Sequence, residues 1–525
     1  MSPSGEDRPP RLGLKLVLRG LLACTLVMVL TATALATTVL REVDSILEPF
    51  RLPGRADIDV PELDIPDPGG PRTFMILGSD KREGTDASSP PRSDTILLAR
   101  ADPDKGAVAV MSIPRDLKVD IPGHGEGKIN SAFELGGKKE GPRLMVRTVK
   151  KLFEDATGEK FPITNVMVMD YGAFRRAVNY IDGVYVDVDR DYFNDNSSGE
   201  NYATIDVDPG YQLLRGKDAL DYVRYRHTDN DLVRAARQQD FLRQAKNSAG
   251  VRKLLASGLS ESRHLIQVFS RYFQVDKSLK SNKQVFSMLK LVLYLSQENP
   301  KVNQVAFKVH DAPNPQLDSN LYYRDPDLRK AFRQFMSAQE SAAPREAPET
   351  EPTEAEREFS AEQRRRERRR ERDREPVAVA GLSDAKTEGE NQAVLADPKL
   401  KLPFYYPGVR VSGSSYVGTE PRIYSLKDER GTKREAYRLV LKKEGVGEYY
   451  GIQGLAWKAP PILDDPDRTV RRNGRNLKLY YDGRRLRMVA WKTRRGAYWV
   501  TNTLTQTIDE DQMLEIAGSL RRLNQ

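Results

Sequence analysis

Thr73-Phe74-Met75-Ile76-Leu77-Gly78-Ser79-Asp80 is an apolar run of strand length that stops on glycine, serine and a carboxylate. Two similar runs follow, Thr95-Ile96-Leu97-Leu98-Ala99 and Ala107-Val108-Ala109-Val110-Met111-Ser112-Ile113. Each is bounded by Gly, Pro or charge, the pattern of buried strands. Between Pro142 and Gly158, Met145, Val149, Leu152, Phe153 and Ala156 fall at helical spacing, and strand-like Val166-Met167-Val168-Met169 comes next. Strands therefore alternate with helices, which predicts a layered α/β domain. Open sheets of this kind gather ligands at strand ends, and Asp80 and Asp116 each closely follow a predicted strand.

The same strand ends carry charge. Arg92-Ser93-Asp94-Thr95 and Ile113-Pro114-Arg115-Asp116 are followed far downstream by Tyr222-Val223-Arg224-Tyr225-Arg226, Asp231, Arg234 and Arg237-Gln238-Gln239. Several guanidiniums converging with a few carboxylates suit a diphosphate, neutralised partly by Arg forks and partly by a divalent metal on Asp. If a helix starts at Asp231, then Asp231, Arg234 and Gln238 share one face at i, i+3 and i+7, with Phe241, Leu242 and Ala245 continuing into the core. Taken alone, those three could equally form an exposed helix with a weak ion pair.

Gly20 to Leu40 is an uncharged, mostly apolar run close to the roughly 20 residues a membrane-spanning helix needs. Arg8, Arg11, Lys15 and Arg19 precede it, whereas Arg41 is soon followed by Glu42, Asp44 and Glu48. The positive-inside rule then puts the N-terminus in the cytoplasm and the main body outside. A cleaved signal peptide is the alternative, but the run exceeds a usual h-region. The only cysteine, Cys24, lies in that run, and there are four His with no H-E-x-x-H pair. Thiolate and zinc sites are thereby excluded outside the anchor, and an oxygen-ligated cation such as Mg²⁺ is the natural metal.

From about Ser341 to Lys399 the apolar pattern gives way to Pro, Glu, Arg and Ser, including Gln363-Arg364-Arg365-Arg366-Glu367-Arg368-Arg369-Arg370-Glu371-Arg372. Such a stretch cannot bury enough surface to fold alone and reads as a linker. It contributes to the net charge of +9. A chain with its body outside a membrane would meet an anionic wall polymer or lipid there, and no nucleic acid. Beyond it, Asn473-Gly474, Asp482-Gly483 and Arg495-Gly496 are hairpin signals, and Asp509 to Leu523 reads as a closing helix. Tyr449, Tyr450, Trp457, Trp491, Tyr498 and Trp499 would form either a packed core or a sugar-stacking platform. Gly210 to Lys217 is a near match to a phosphate-binding loop, but the glycine spacing is wrong and Asp218 stands where Ser or Thr should be.

These motifs, with Gly127-Lys128-Ile129-Asn130-Ser131-Ala132, Asp182-Gly183-Val184 and Leu214-Arg215-Gly216-Lys217-Asp218-Ala219-Leu220, occur in the order seen in the LytR-CpsA-Psr family, which the stretch from Thr73 to Ala249 closely resembles. The resemblance implies transfer of a glycopolymer, such as teichoic acid or capsule, from a polyprenyl-diphosphate carrier to peptidoglycan, through a phosphodiester bond. It implies Mg²⁺, with Mn²⁺ as substitute, on Asp80 and Asp94. Catalytic roles fall on Asp80, Arg92, Asp94, Arg115, Arg226 and Asp231, and substrate binding on Arg92, Arg115, Arg224, Arg226, Arg234 and Gln238. Asp116, Lys128 and Asn130 fit less specifically. An apolar slot for the lipid could lie among Leu152, Phe153, Phe174, Val178 and Phe241, residues equally suited to an ordinary core. The expected organisation is a cytoplasmic N-terminus (1–19), a transmembrane helix (20–41), a Pro-rich spacer (42–71), an α-β-α sandwich catalytic domain (72–338), a disordered linker (339–399) and a small α+β accessory domain (400–525) with a wall or protein partner. A polyprenyl-diphosphate pyrophosphatase and a non-enzymatic binder of anionic wall polymer are the rival readings.

Overall fold

The computed structural model describes residues 58–67, 70–79, 93–197, 203–226, 228–256, 273–280, 302–312, 314, 317–337 and 379–523. The expected transmembrane helix at 20–41, most of the spacer, Asp80, Arg92 and the Arg-rich run at 363–372 lie outside them. Among the described residues no helix is long and apolar enough to cross a membrane.

Six strands form the sheet of the first domain: β1 (Arg72–Ser79), β2 (Ser93–Asp102), β3 (Ala107–Ile113) and, after the ribbon β4 (Lys118–Ile121) with β5 (Gly125–Lys128), β6 (Asn165–Asp170); β11 (Gln274–Val275) and β12 (Val302–Val305) complete it. Their order is β11-β6-β1-β2-β3-β12. β1 pairs antiparallel with β2 and parallel with β6. The sheet is thus mixed, and the two-residue period of a strand sorts its side chains onto two faces. Met75, Leu77, Ile96, Leu98, Val166 and Val168 face one way, into a core with Met145, Val149, Leu152 and Phe153 of α2 (Gly137–Thr157), which follows the short α1 (Ser131–Leu135). Leu328, Phe332 and Phe335 of α7 (Asp325–Ser337) close the same core. The alternate residues Ile76, Leu97, Met167 and Met169 face a cavity instead.

On that second face lie α3 (Tyr171–Tyr180), α4 (Gly216–Arg224), α5 (Asp231–Lys246) and α6 (Ala249–Ala256), together with the antiparallel pair of β7 (Val184–Val188) and β10 (Gly210–Leu214). Between these two strands come β8 (Tyr192–Asn194) and β9 (Ile205–Val207). Helices therefore cover both faces of the sheet, as the layered α/β reading expects.

Two expectations need correction. The linker was expected to run from 339 to 399, but its last part is folded, with a strand at Leu382–Asp384 and α8 at Lys386–Ala396. The second domain is also mostly strands, built on an eight-stranded antiparallel sheet with α8 and the closing helix α9 (Glu510–Gly518). Short polar turns join its strands. At Asn473-Gly474 both residues have positive φ, 47° and 75°, as a two-residue hairpin loop requires. Four of the six candidate sugar-stacking aromatics are core, since Tyr450, Tyr498 and Trp499 are fully buried and Trp491 is 3% exposed, whereas Tyr449 and Trp457 are partly buried.

Candidate active site

The cavity between the sheet and α3, α4 and α5 has a volume of about 460 Å³. Its walls are apolar, with Met167, Met169, Phe174, Val178, Leu220 and Phe241 among them, while Asp94, Thr95, Asp170, Tyr171, Arg224, Arg226, Arg234 and Gln238 bring polar groups to it. One space thus joins a hydrocarbon-like lining to a cluster of three guanidiniums, two carboxylates and an amide. Of the candidate slot residues, Phe174, Val178 and Phe241 line it; Leu152 and Phe153 do not, being packed in the opposite core.

Local structure explains why these groups meet. β1 and β2 end their ladder on the pair Ser79 and Ser93, after an irregularity at Gly78. A Cβ on Gly78 would fall 2.9 Å from the Thr95 Cβ, so the strands can approach this closely only with glycine there. Asp80 follows this end of the ladder in sequence and Arg92 precedes it. Arg115, just past β3, reaches back to donate from Nη1 to Asp94 Oδ1 at 2.7 Å and from Nε to Asp116 Oδ2 at 3.3 Å. Lys128 Nζ donates to the other oxygen of Asp116 at 2.9 Å and to Ser319 Oγ at 3.0 Å. Burial pushes the Asp116 carboxyl up, but the hydrogen bond from Lys128 and the charges of Arg115, Lys128 and Arg234 outweigh it and hold the pKa below the ordinary value.

Asn130 is buried beside this pair, its backbone N–H donating to Arg115 O at 3.2 Å. Lys128 is therefore a tether on Asp116, and Asn130 is part of the packing around Arg115.

From the other side, α5 delivers Arg234 and Gln238, one turn apart on the same face. Asn230 caps the helix, its side chain accepting from Val233 N at 2.9 Å. Asp231 is the first residue of α5; its side chain lies outside the described structure. The Gln238 amide is fixed by donating to Thr95 Oγ1 at 3.3 Å and to Val223 O at 3.1 Å. Arg224 ends α4, donates to Asp221 at i−3 and stands 5.6 Å from the Tyr171 ring centroid.

Arg237 of the Arg-Gln-Gln motif plays another part. It is fully buried and donates to Asp229 Oδ2 and Tyr225 O, while Arg190 Nη2 donates to Asp229 Oδ1 at 2.6 Å. Two guanidiniums on one carboxylate thereby fix the loop that follows Arg226. The third motif residue, Gln239, donates to Ser112 Oγ at 3.1 Å and ties α5 to β3.

Sequence reasoning missed Thr95, Tyr171, Asp170 and Asp221. The spacing of Asp221 three residues before Arg224 could have flagged it; Tyr171 gave no signal, because its position against Arg224 depends on how α3 and α4 pack. Lys217, the lysine of the false phosphate loop, is taken up by Asp221 and by Thr204 O at 3.2 Å.

A family model described as the LytR_cpsA_psr family matches residues 51–336. The polyisoprenyl-teichoic acid–peptidoglycan teichoic acid transferase TagT of Bacillus subtilis is 32% identical over 171 residues, 32% of this chain and 50% of the relative. TagU of Oceanobacillus iheyensis, of the same description, is 30% identical over 207 residues, 39% of this chain and 58% of that one. The regulatory protein MsrR of Staphylococcus aureus is 31% identical over 180 residues, 34% of this chain and 49% of the relative. The chain thus spans about half the length of the curated relatives it matches. A solved structure described as TagT bound to LIIa-WTA has 24% identity and a TM-score of 0.40, over 54% of this chain and 98% of that one.

Proposed function

Because the chain belongs to the LytR_cpsA_psr family, we propose that it moves a glycopolymer from a polyprenyl-diphosphate carrier to peptidoglycan, forming a phosphodiester and releasing polyprenyl phosphate. One observation carries this reading: a single cavity joins an apolar lining to Asp94, Arg224, Arg226, Arg234 and Gln238. A polyprenyl diphosphate has the matching two parts, a hydrocarbon tail and a doubly phosphorylated head.

In the proposed reaction an acceptor hydroxyl attacks the sugar-proximal phosphorus. A new P–O bond forms as the bond to the bridging oxygen breaks, the attacking hydroxyl gives up its proton to the surrounding water, and negative charge grows on the departing phosphate. Arg224, Arg226 and Arg234 are placed to stabilise that charge, and Arg224 and Arg234 need little rearrangement because Asp221, Tyr171 and the packed face of α5 already orient them. Arg115 sets the direction of the Asp94 carboxylate, and Gln238 is held by Thr95 and Val223. The apolar wall excludes water from the lipid side, which strengthens each of these interactions.

Asp94 offers a hard oxygen donor at the cavity, as Mg²⁺ or Mn²⁺ would need, with Asp80 as its proposed fellow ligand. When bound, the cation would neutralise part of the diphosphate charge. The apolar run from Gly20 to Leu40, with basic residues before it, supports a single-pass membrane protein whose catalytic domain lies outside the cell.

The test is release of labelled polyprenyl phosphate from a polyprenyl-diphosphate sugar by the full chain, with and without Mg²⁺. Turnover that is lost in Asp94→Ala and Arg226→Ala, with label reaching added peptidoglycan, is the expected result. Release without label on peptidoglycan would make the chain a pyrophosphatase; lipid binding without turnover would make it a binder.

A further inference from the structure

The second domain has a cavity of its own, about 410 Å³, at the hairpin end of its large sheet. Arg471, Arg475, Asn476, Trp491, Lys492 and Tyr405 line it, and none of these belongs to the active-site cavity. Three of the six are cations and no lining residue is acidic.

Arg475 is held from two sides. Its Nη2 donates to Leu520 O at 2.8 Å, and its guanidinium stands 5.2 Å from the Tyr405 ring centroid and 5.7 Å from that of Trp491. The Arg475 Nη1 and the Trp491 Nε1 are both buried donors with no hydrogen-bond partner among the described residues. A buried donor without an acceptor is costly, so two of them on residues of one cavity wall point to an acceptor that comes from outside the chain.

The surrounding charge agrees. Burial lowers the Arg475 pKa and the neighbouring Arg522 lowers it further, against the Tyr405 hydroxyl. Burial lowers the Lys492 pKa as well; Lys478 adds to that effect and Asp464 is the one carboxylate opposing it. Arg475 and Lys492 are thus held at a cost that an incoming anion would relieve.

We propose that this cavity is a binding site for a phosphate group carried on a phosphodiester-linked polymer. Arg475 and Trp491 form part of its wall with these two donors unmet, and Arg471 and Lys492, both exposed, supply charge at its mouth. Three cationic side chains around one space, with no carboxylate among its lining residues, suit the charge and the several oxygens of a phosphate. The volume exceeds that of a free phosphate and leaves room for the units on either side. The site stands independently of the reaction proposed above, since it uses none of the same residues.

The experiment measures anisotropy of a fluorescent oligo(glycerol phosphate) titrated with the full chain, in an Arg226→Ala background that removes a contact of the active site. Binding should saturate, be displaced by inorganic phosphate and not by a neutral dextran, and weaken at least about tenfold in Arg471→Gln/Lys492→Gln. Both substituted side chains are exposed, so the fold should survive, and the same pair in the otherwise native chain should leave lipid-phosphate release unchanged. Equal affinity of the pair variant and its parent would overturn the proposal. So would probe binding that phosphate fails to displace, or binding confined to phosphatidylglycerol vesicles, which would make a lipid surface the partner.

Discussion

Arg115 holds Asp94 through a 2.7 Å bond in which both side chains are largely buried. Charge-assisted bonds of this kind are about twice as strong as neutral ones, and they fix direction as well as distance. Arg115→Ala should therefore lower lipid-phosphate release by about a hundredfold or more, while Arg115→Lys, which keeps the charge and loses the fork, should recover only part of it. Comparable release from Arg115→Ala and the native chain would remove Arg115 from the site. A second residue bears on stability. Asp189 is buried, and burial pushes its pKa up to about 6 despite the nearby Arg190 charge and the hydrogen bond from Tyr192. A raised folded-state pKa contributes stability that is fully present below the unfolded carboxylate range and lost as pH rises through about 6. Between pH 5 and pH 7 the melting temperature of the native chain should thus fall more than that of Asp189→Asn; parallel curves would count against it.

At the scale of elements, α5 and its capping loop do the positioning, and both were partly legible. The i, i+3, i+7 spacing placed Arg234 and Gln238 on one face before any coordinates, because helical period depends only on local geometry. What the spacing could not reveal is what leans on the N-terminus of α5. The loop from Lys443 to Glu448 in the second domain does so: a Cβ on Gly447 would fall 2.6 Å from the Val233 methyls, and Tyr449 stands 5.1 Å from the Arg190 guanidinium. Contacts between residues two hundred positions apart leave no periodic trace. α8 was missed for a related reason. Its sequence, KTEGENQAVLA, shows no clear apolar stripe; it is held by burying Ala393 and Ala396 and by a 3.0 Å bond from Gln392 to Thr419 O. Gly447→Leu should push Val233 and with it the turn that carries Asp231 and Arg234. Displacements near 1 Å can cost about a hundredfold in rate, so a loss of at least about tenfold in lipid-phosphate release is expected, with far-UV circular dichroism unchanged. Gly445→Ala, also at positive φ but facing only Glu448, controls for backbone strain and should keep most activity.

Across the whole molecule, the two domains share a buried interface and are not beads on a tether. Tyr185 and Tyr211 of the first domain pack with Leu426, Leu463, Met488 and Trp499 of the second. Within that apolar patch Asp187 accepts from Arg438 Nη1 at 3.1 and 3.3 Å and from Trp499 Nε1 at 2.8 Å. Asp482 similarly accepts from Arg243 at 2.8 Å and from Gln304 N at 2.9 Å. Burial pushes the Asp187 carboxyl pKa up, against the pull of Arg438 and Trp499. The pair itself adds little net stability, since desolvating two charges offsets most of their attraction, but removing one partner strands the other. Arg438 is 1% exposed and has no route to water. Asp187→Ala should accordingly destabilise the chain by about 3–5 kcal/mol in denaturant unfolding. Asp187→Leu/Arg438→Met should recover much of that loss, because both charges are gone together. If instead the double variant is as unstable as the single one, the interface is held by its aromatic packing and the buried pair only fits within it.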